Sequence, residues 1–196
     1  MNLQEKSLAV KEVFEELDKD VAGYLDKSNL SCFAGCGRCC MNPKVAATVL
    51  EFIPLAFDIY EKGIAEEVMD QLEQTSELEN CMVFQKTTID SGSGVCGTYM
   101  YRGLICRLFG MSARKNKYGD KQMITCKKIK EEKTELFEAT TQSINEGMQI
   151  PMANDYYSKL SGIDFKLSDG TYPINEAIKK ALETVMMYSY YHENQE

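Results

Sequence analysis

Residues 32–40, Cys32-Phe33-Ala34-Gly35-Cys36-Gly37-Arg38-Cys39-Cys40, set four thiols within nine positions. Gaps of three and two residues let a tight turn aim sulfurs at one ion, and Gly35 and Gly37 suit such a turn, since ligand loops often need a positive φ. Cys39 and Cys40 are adjacent, and neighbouring side chains diverge by about 100° in a helix and about 180° in a strand. Both reaching one metal through regular backbone is therefore awkward. One of the pair is expected to serve a second site or to stay a free thiol.

Downstream, Cys81, Cys96, Cys106 and Cys126 complete a total of eight cysteines, and neither end of the 196-residue chain has any. Core-filling cysteines can fall anywhere, whereas ligands must converge, so the confinement to residues 32–126 points to metal. With a single histidine, His192, near the chain end, ligation is expected to be all-thiolate, which both zinc and iron-sulfur clusters accept. The eight would make two four-cysteine sites, or one cluster and a partial site. The spacing does not match the ferredoxin C-x2-C-x2-C run, which argues against a simple electron carrier. His192 itself is expected to be solvated surface. Gly92-Ser93-Gly94 lacks the lysine and helix of a phosphate-binding loop, and one terminal histidine leaves no Ser-His-Asp arrangement.

Helices are expected on both sides of the cysteines. Val10, Phe14, Leu17, Val21 and Tyr24 recur at spacings of four and three within residues 2–28, one amphipathic helix, which Ser28-Asn29-Leu30-Ser31 breaks. Thr48-Val49-Leu50-Glu51 reads as a capping box opening a helix to about Lys62, with a kink or restart at Pro54, a stop at Gly63, and a second helix over 64–75. Residues 81–84, 95–99, 105–109 and 122–125 are short β-prone runs between Gly and polar clusters. Ser91-Gly92-Ser93-Gly94 reads as a loop tip. Helical spacing returns over 127–146, with Gly147 as its stop. A last helix opens at Pro173 with Ile174, Ala177, Ile178, Ala181, Leu182 and Val185 on one face, and its tail, Met186 to Tyr191, is expected to bury against the first helix. The fold class is α+β and mainly helical, with helices surrounding a small irregular β-ribbon, cysteine-rich metal-binding module. No Pro, Gly or Ser linker divides the chain, so residues 1–196 read as one domain.

The net charge of −8 argues against general nucleic-acid binding. It conceals an asymmetry: residues 102–133 carry ten Lys or Arg against three acids, a local +7. Such a face suits an anionic partner or substrate, or it offsets the charge of thiolates around a metal. The opening Met1-Asn2-Leu3-Gln4-Glu5-Lys6 has no basic flank or apolar block of a secretory leader, and no apolar run approaches the ~20 residues of a membrane span. A cytoplasmic protein without membrane contact is expected, a setting in which four disulfides are the unfavoured use of eight cysteines.

Cys32-x3-Cys36-x2-Cys39-Cys40, followed by Cys81-x-x-Phe84 and by Cys96-x-x-Tyr99-x-x-Arg102-x-x-x-Cys106-Arg107-x-Phe109, resembles the bacterial YkgJ family of zinc- or iron-chelating proteins over about residues 32–126. The resemblance implies a metal-binding cysteine cluster, with Tyr99, Arg102 and Arg107 as its punctuation; the arginines are expected to donate to thiolates or carbonyls around the metal. The family usually has a two-residue first gap where this chain has three, and proline where this chain has Gly103 and Gly110. Flagellin lysine methylases are similar in cysteine pattern but larger. Two functional classes follow: a closed structural metal site on an interaction module, or an iron-sulfur or open metal site supporting redox or group-transfer chemistry on a substrate held by the 102–133 face.

Overall fold

The computed structural model describes residues 1–75, 79–87 and 93–193. In chain order its elements are α1 (Leu3–Ser28), β1 (Ala46–Ala47), a 3-10 turn (Leu50–Phe52), α2 (Ile53–Glu61), α3 (Ala65–Gln74), β2 (Phe84–Lys86), β3 (Gly94–Cys96), a second 3-10 turn (Tyr99–Tyr101), α4 (Leu104–Leu108), β4 (Ala113–Lys115), β5 (Lys121–Met123), α5 (Lys127–Glu132), α6 (Thr134–Asn145), α7 (Ala153–Ile163), α8 (Phe165–Ser168), β6 (Tyr172–Pro173) and α9 (Ile174–Glu193). The fold is mainly helical α+β. Among the described residues the strands pair as three short antiparallel two-stranded sheets, β1 with β6, β2 with β3 and β4 with β5.

The first helix is written in its ends and its stripe. Asn2 Oδ1 accepts from the Glu5 N–H at 2.9 Å while the Asn2 N–H donates to the Glu5 carboxylate at 2.8 Å, a reciprocal cap. Val10, Phe14, Leu17 and Tyr24 are buried as the spacing predicts, and Val21 is half-buried. Asn29 takes the left-handed conformation, φ 53°, just past the end, where a short polar side chain is tolerated.

Contacts group the chain into two compact units: Met1–Glu12, Gly35–Gly103 and Leu160–Glu196 form the first, Val13–Ala34 and Leu104–Lys159 the second. In the first unit, α2 is apolar nearly all round, with Ile53, Leu55, Ala56, Phe57 and Ile59 buried, so it needs cover on several sides. α9 supplies much of it, packing on α2 and α3 with Ile174, Ala177, Ile178, Ala181, Leu182 and Val185 all buried as predicted. The expected restart at Pro54 is present. Glu51 accepts from the Thr48 N–H at 2.9 Å and from its hydroxyl at 3.1 Å, the 3-10 turn follows, and α2 begins with Pro54 in its first turn, where a missing N–H costs nothing. Gly63, φ 70°, ends α2 and α3 follows.

The second unit is centred on Tyr24, Leu30, Ala113, Met123, Ile129, Ile144 and Ile150. The β4–β5 hairpin pairs Ala113 with Met123, and the Ala113 N–H donates to the Pro151 carbonyl at 2.9 Å.

Several expectations are corrected. Residues 105–109 are not a strand but lie mostly in α4, because a short apolar run is ambiguous in period; helical spacing buries Leu104, Arg107 and Leu108 together, and Gly110 turns the chain out at φ 85°. The 81–84 run enters strand only at Phe84, and the 95–99 run leaves it after Cys96. The single helix over 127–146 is two, broken at Lys133 (φ −129°, ψ 37°), where the Thr134 hydroxyl donates to the carbonyls of Lys130 and Glu131 in competition with the helix ladder. The C-terminal tail is not buried on α1: Tyr188 meets Phe57 of α2 edge-on at 6.2 Å, while Met187, Tyr190 and Tyr191 are 60–65% exposed. Residues 91 and 92 of the expected loop tip lie outside the described residues.

Candidate metal centre

Backbone pairing in the first unit ties three cysteine-bearing segments together, the Cys36–Cys40 loop, the Cys81 stretch and the β2–β3 hairpin. Gly35 bends the loop at φ 66°, Cys36 bridges Ser93 antiparallel, and the Gly94 N–H donates to the Gly35 carbonyl at 2.9 Å. The loop is thereby hydrogen-bonded to the β2–β3 hairpin, whose register sets Phe84 opposite Cys96. Around Cys39 and Cys40 the chain turns on itself, the Met41 N–H donating to the Gly37 carbonyl at 3.1 Å and the Asn42 N–H to the Cys39 carbonyl at 3.2 Å. That turn presents the Cys40 carbonyl to the Cys81 N–H at 2.8 Å, and the Cys81 carbonyl accepts in turn from the Phe84 N–H at 2.9 Å.

The Phe84 ring locks this arrangement. A Cβ on Gly37 would collide with Cε2 and Cζ of that ring, and one on Gly94 would meet the same two atoms and stand 2.5 Å from the Gln85 carbonyl oxygen. Gly37 therefore serves close approach rather than a positive φ, whereas Gly35 has the left-handed φ expected of a ligand loop.

Cys36, Cys40, Cys81 and Cys96 share one electrostatic neighbourhood. Burial pushes the Cys81 thiol up to about 12; the Val83 backbone works against this, and the charges of Cys40 and Cys96 add to it. Cys40 is raised by burial and then by the charges of Cys96 and Cys36. Cys36, Cys40, Cys81 and Cys96 carry free thiols. Among the described residues, no three Cys, His, Asp or Glu side chains stand as a ready-made metal-ligand group. What fits a metal is the chemistry of the donor set: four soft thiols on interlocked backbone, each able to release a proton to an incoming ion.

The other predicted residues are distributed differently. Cys39 is exposed while its neighbour Cys40 is half-buried. Cys32, Cys106 and Cys126 belong to the second unit, where Cys126 packs on the apolar cluster. Arg107, buried in the same unit, pairs with Asp18 and lies over the Phe14 ring at 4.6 Å, both on α1. In the first unit, the Arg102 guanidinium stacks on Tyr99 at 3.9 Å. Within the basic stretch, Lys128 and Lys133 lie over the Phe33 ring at 4.4 and 4.8 Å. His192 is exposed and stacks on Tyr188 at 4.2 Å. Two glycines stand where the resembled family usually has proline. Gly110 has φ 85°, which proline cannot adopt, and a Cβ at Gly103 would meet Phe52 Cζ at 2.9 Å.

Sequence reasoning missed Asn175, in the first turn of α9. Its Oδ1 accepts from the Met82 N–H at 2.8 Å and its Nδ2 donates to the Asn80 carbonyl at 3.0 Å. The available signal was its alignment with Ile178, Leu182 and Val185, an amide on the buried stripe of a helix.

A family model described as "Putative zinc- or iron-chelating domain", CxxCxxCC, matches residues 31–127. No curated protein and no solved structure matches the chain.

Proposed function

From the match of residues 31–127 to the zinc- or iron-chelating CxxCxxCC family model, we propose that the protein chelates one zinc or iron centre through Cys36, Cys40, Cys81 and Cys96. The observation that carries the reading is the backbone hydrogen bonding that joins the Cys36–Cys40 loop to Cys81 and to the β2–β3 hairpin, with the charges of Cys96 and Cys36 acting on Cys40 and those of Cys40 and Cys96 acting on Cys81. Four thiolates close a zinc site and make it structural, and they equally ligate an iron-sulfur cluster, which would supply electron transfer. Arg102 and Tyr99 lie in the same unit and are proposed to flank the centre. Cys32, Cys39, Cys106 and Cys126 are not required for this ion.

The test is metal and sulfide analysis of anaerobically purified protein, with single Ser substitutions. One metal centre per chain is expected, a single zinc ion or one iron-sulfur cluster, lost in Cys40→Ser and Cys81→Ser and retained in Cys126→Ser. Brown protein containing iron and sulfide identifies a cluster; colourless protein with zinc identifies the structural form. Full metal content in Cys81→Ser sinks the assignment. With Cys81 pushed up to about 12, its thiol is protonated at neutral pH and must give up that proton to bind. Uptake is therefore expected to strengthen as pH rises, by up to about tenfold per pH unit for each proton released.

A further inference from the structure

Cys81 is the most enclosed of the eight cysteines, 6% exposed, and it stands on a stretch without helix or strand of its own. A thiol on irregular backbone keeps its direction only if the peptide groups beside it are held. The Cys81 N–H is spent on the Cys40 carbonyl and the Cys81 carbonyl on the Phe84 N–H. The two flanking groups, the Asn80 carbonyl and the Met82 N–H, both go to one side chain, Asn175. That residue is 8% exposed, and its amide satisfies a donor and an acceptor at once, through two separate atoms.

The position of Asn175 is set by its own frame. Ile174 donates its N–H to the Val45 carbonyl at 3.1 Å, and β6 just before it pairs with β1. The amide thus sits on a helix anchored to the chain shortly after the Cys36–Cys40 loop. Asn175 also lies 48 positions beyond the end of the segment that matches the family.

We propose that Asn175 is a positioning residue for Cys81: its carboxamide clamps the peptide groups on either side of the cysteine and so completes the four-thiol group from outside the family segment. This rests on the chelation reading, in which Cys81 is a ligand. Groups that orient metal ligands without touching the metal typically contribute about 10–100-fold in affinity, so a loss in that range is expected when the clamp is removed.

The experiment uses the full chain, reduced and metal-free, in four forms: unchanged, Asn175→Ala, Asn175→Asp and Glu176→Ala. Glu176→Ala breaks the neighbouring Lys180 ion pair in the same helical turn without touching Asn80 or Met82, and so reports any general loosening of α9. Zn(II) affinity is measured by competition with a chromophoric chelator, and alkylation of each cysteine is timed by mass spectrometry. Asn175→Ala is expected to weaken Zn(II) binding about 10–100-fold and to speed alkylation of Cys81 at least several-fold, with Cys126 unchanged. Glu176→Ala is expected to match the unchanged chain. Asn175→Asp keeps the acceptor and loses the donor, so it falls between; if Asn175→Ala does not fold, this variant decides. Affinity within twofold and an unchanged Cys81 rate overturn the proposal, as does an equal effect from Glu176→Ala. If the unchanged chain takes up no metal, the chelation reading fails, and the alkylation arm alone decides whether Asn175 holds Cys81.

Discussion

Gly37 and Gly35 are both legible as loop glycines, yet they act for different reasons. Gly35 needs its φ of 66° and has open space around a would-be Cβ, whereas at Gly37 the Phe84 ring occupies that position. Gly35→Ala is expected to cost about 1–2 kcal/mol, the penalty of a left-handed L-residue. Gly37→Ala forces either the ring or the loop to move, an overpacking cost of about 1–3 kcal/mol, and shifts the Cys36–Cys40 loop off the hairpin. Denaturant unfolding of the two variants checks the stabilities, and Zn(II) competition separates them: Gly37→Ala is expected to lose more affinity than Gly35→Ala. Equal affinities would remove the Phe84 lock from the account.

Among the helices, the short α8 reports on an ion pair inside the first unit. Asp164 caps it, accepting from the Leu167 N–H at 3.0 Å, and pairs with Lys6 at 2.7 Å. Burial works to raise the Asp164 carboxyl, but the Lys6 ammonium and the Leu167 N–H outweigh it and hold it below the usual carboxylate range. A carboxyl lowered on folding stabilises the protein above its unfolded value and loses that contribution as pH falls through the folded one. Asp164→Asn keeps a capping side chain and removes the charge, so a loss of about 0.5–1 kcal/mol is expected at pH 7. The gap between variant and unchanged chain should close below about pH 4. A gap independent of pH in urea unfolding would show that the charge contributes nothing. Element boundaries were readable where stop signals or periodicity were strong, as at Gly63 and along the α1 and α9 stripes. They were misread at 105–109, where five residues are too few for period to separate helix from strand, and at Lys133, where a hydroxyl three and four residues from its acceptors breaks an otherwise helical pattern.

For the chain taken entire, the chelation reading has a spatial signature. Zn(II) added to the reduced protein is expected to slow amide exchange in the first unit, most at 36–41, 81–84 and 94–97, and to change 104–159 less. Hydrogen exchange read by mass spectrometry checks this, and protection confined to 104–159 would refute it. Among the described residues, no helix is long and apolar enough to cross a membrane. Eight thiols between helices, an amphipathic first helix and the buried face of α9 follow from residue type and spacing, which are properties of neighbouring positions. Which thiols meet does not, because Cys40 and Cys81 are joined by one backbone hydrogen bond across about forty positions, and such pairings depend on where the intervening helices pack. The assignment of Cys36, Cys40, Cys81 and Cys96 to one unit, the Phe84 lock and the Asn175 clamp are consequences of that packing, since a hydrogen bond or a ring contact between distant segments leaves no periodic mark in either.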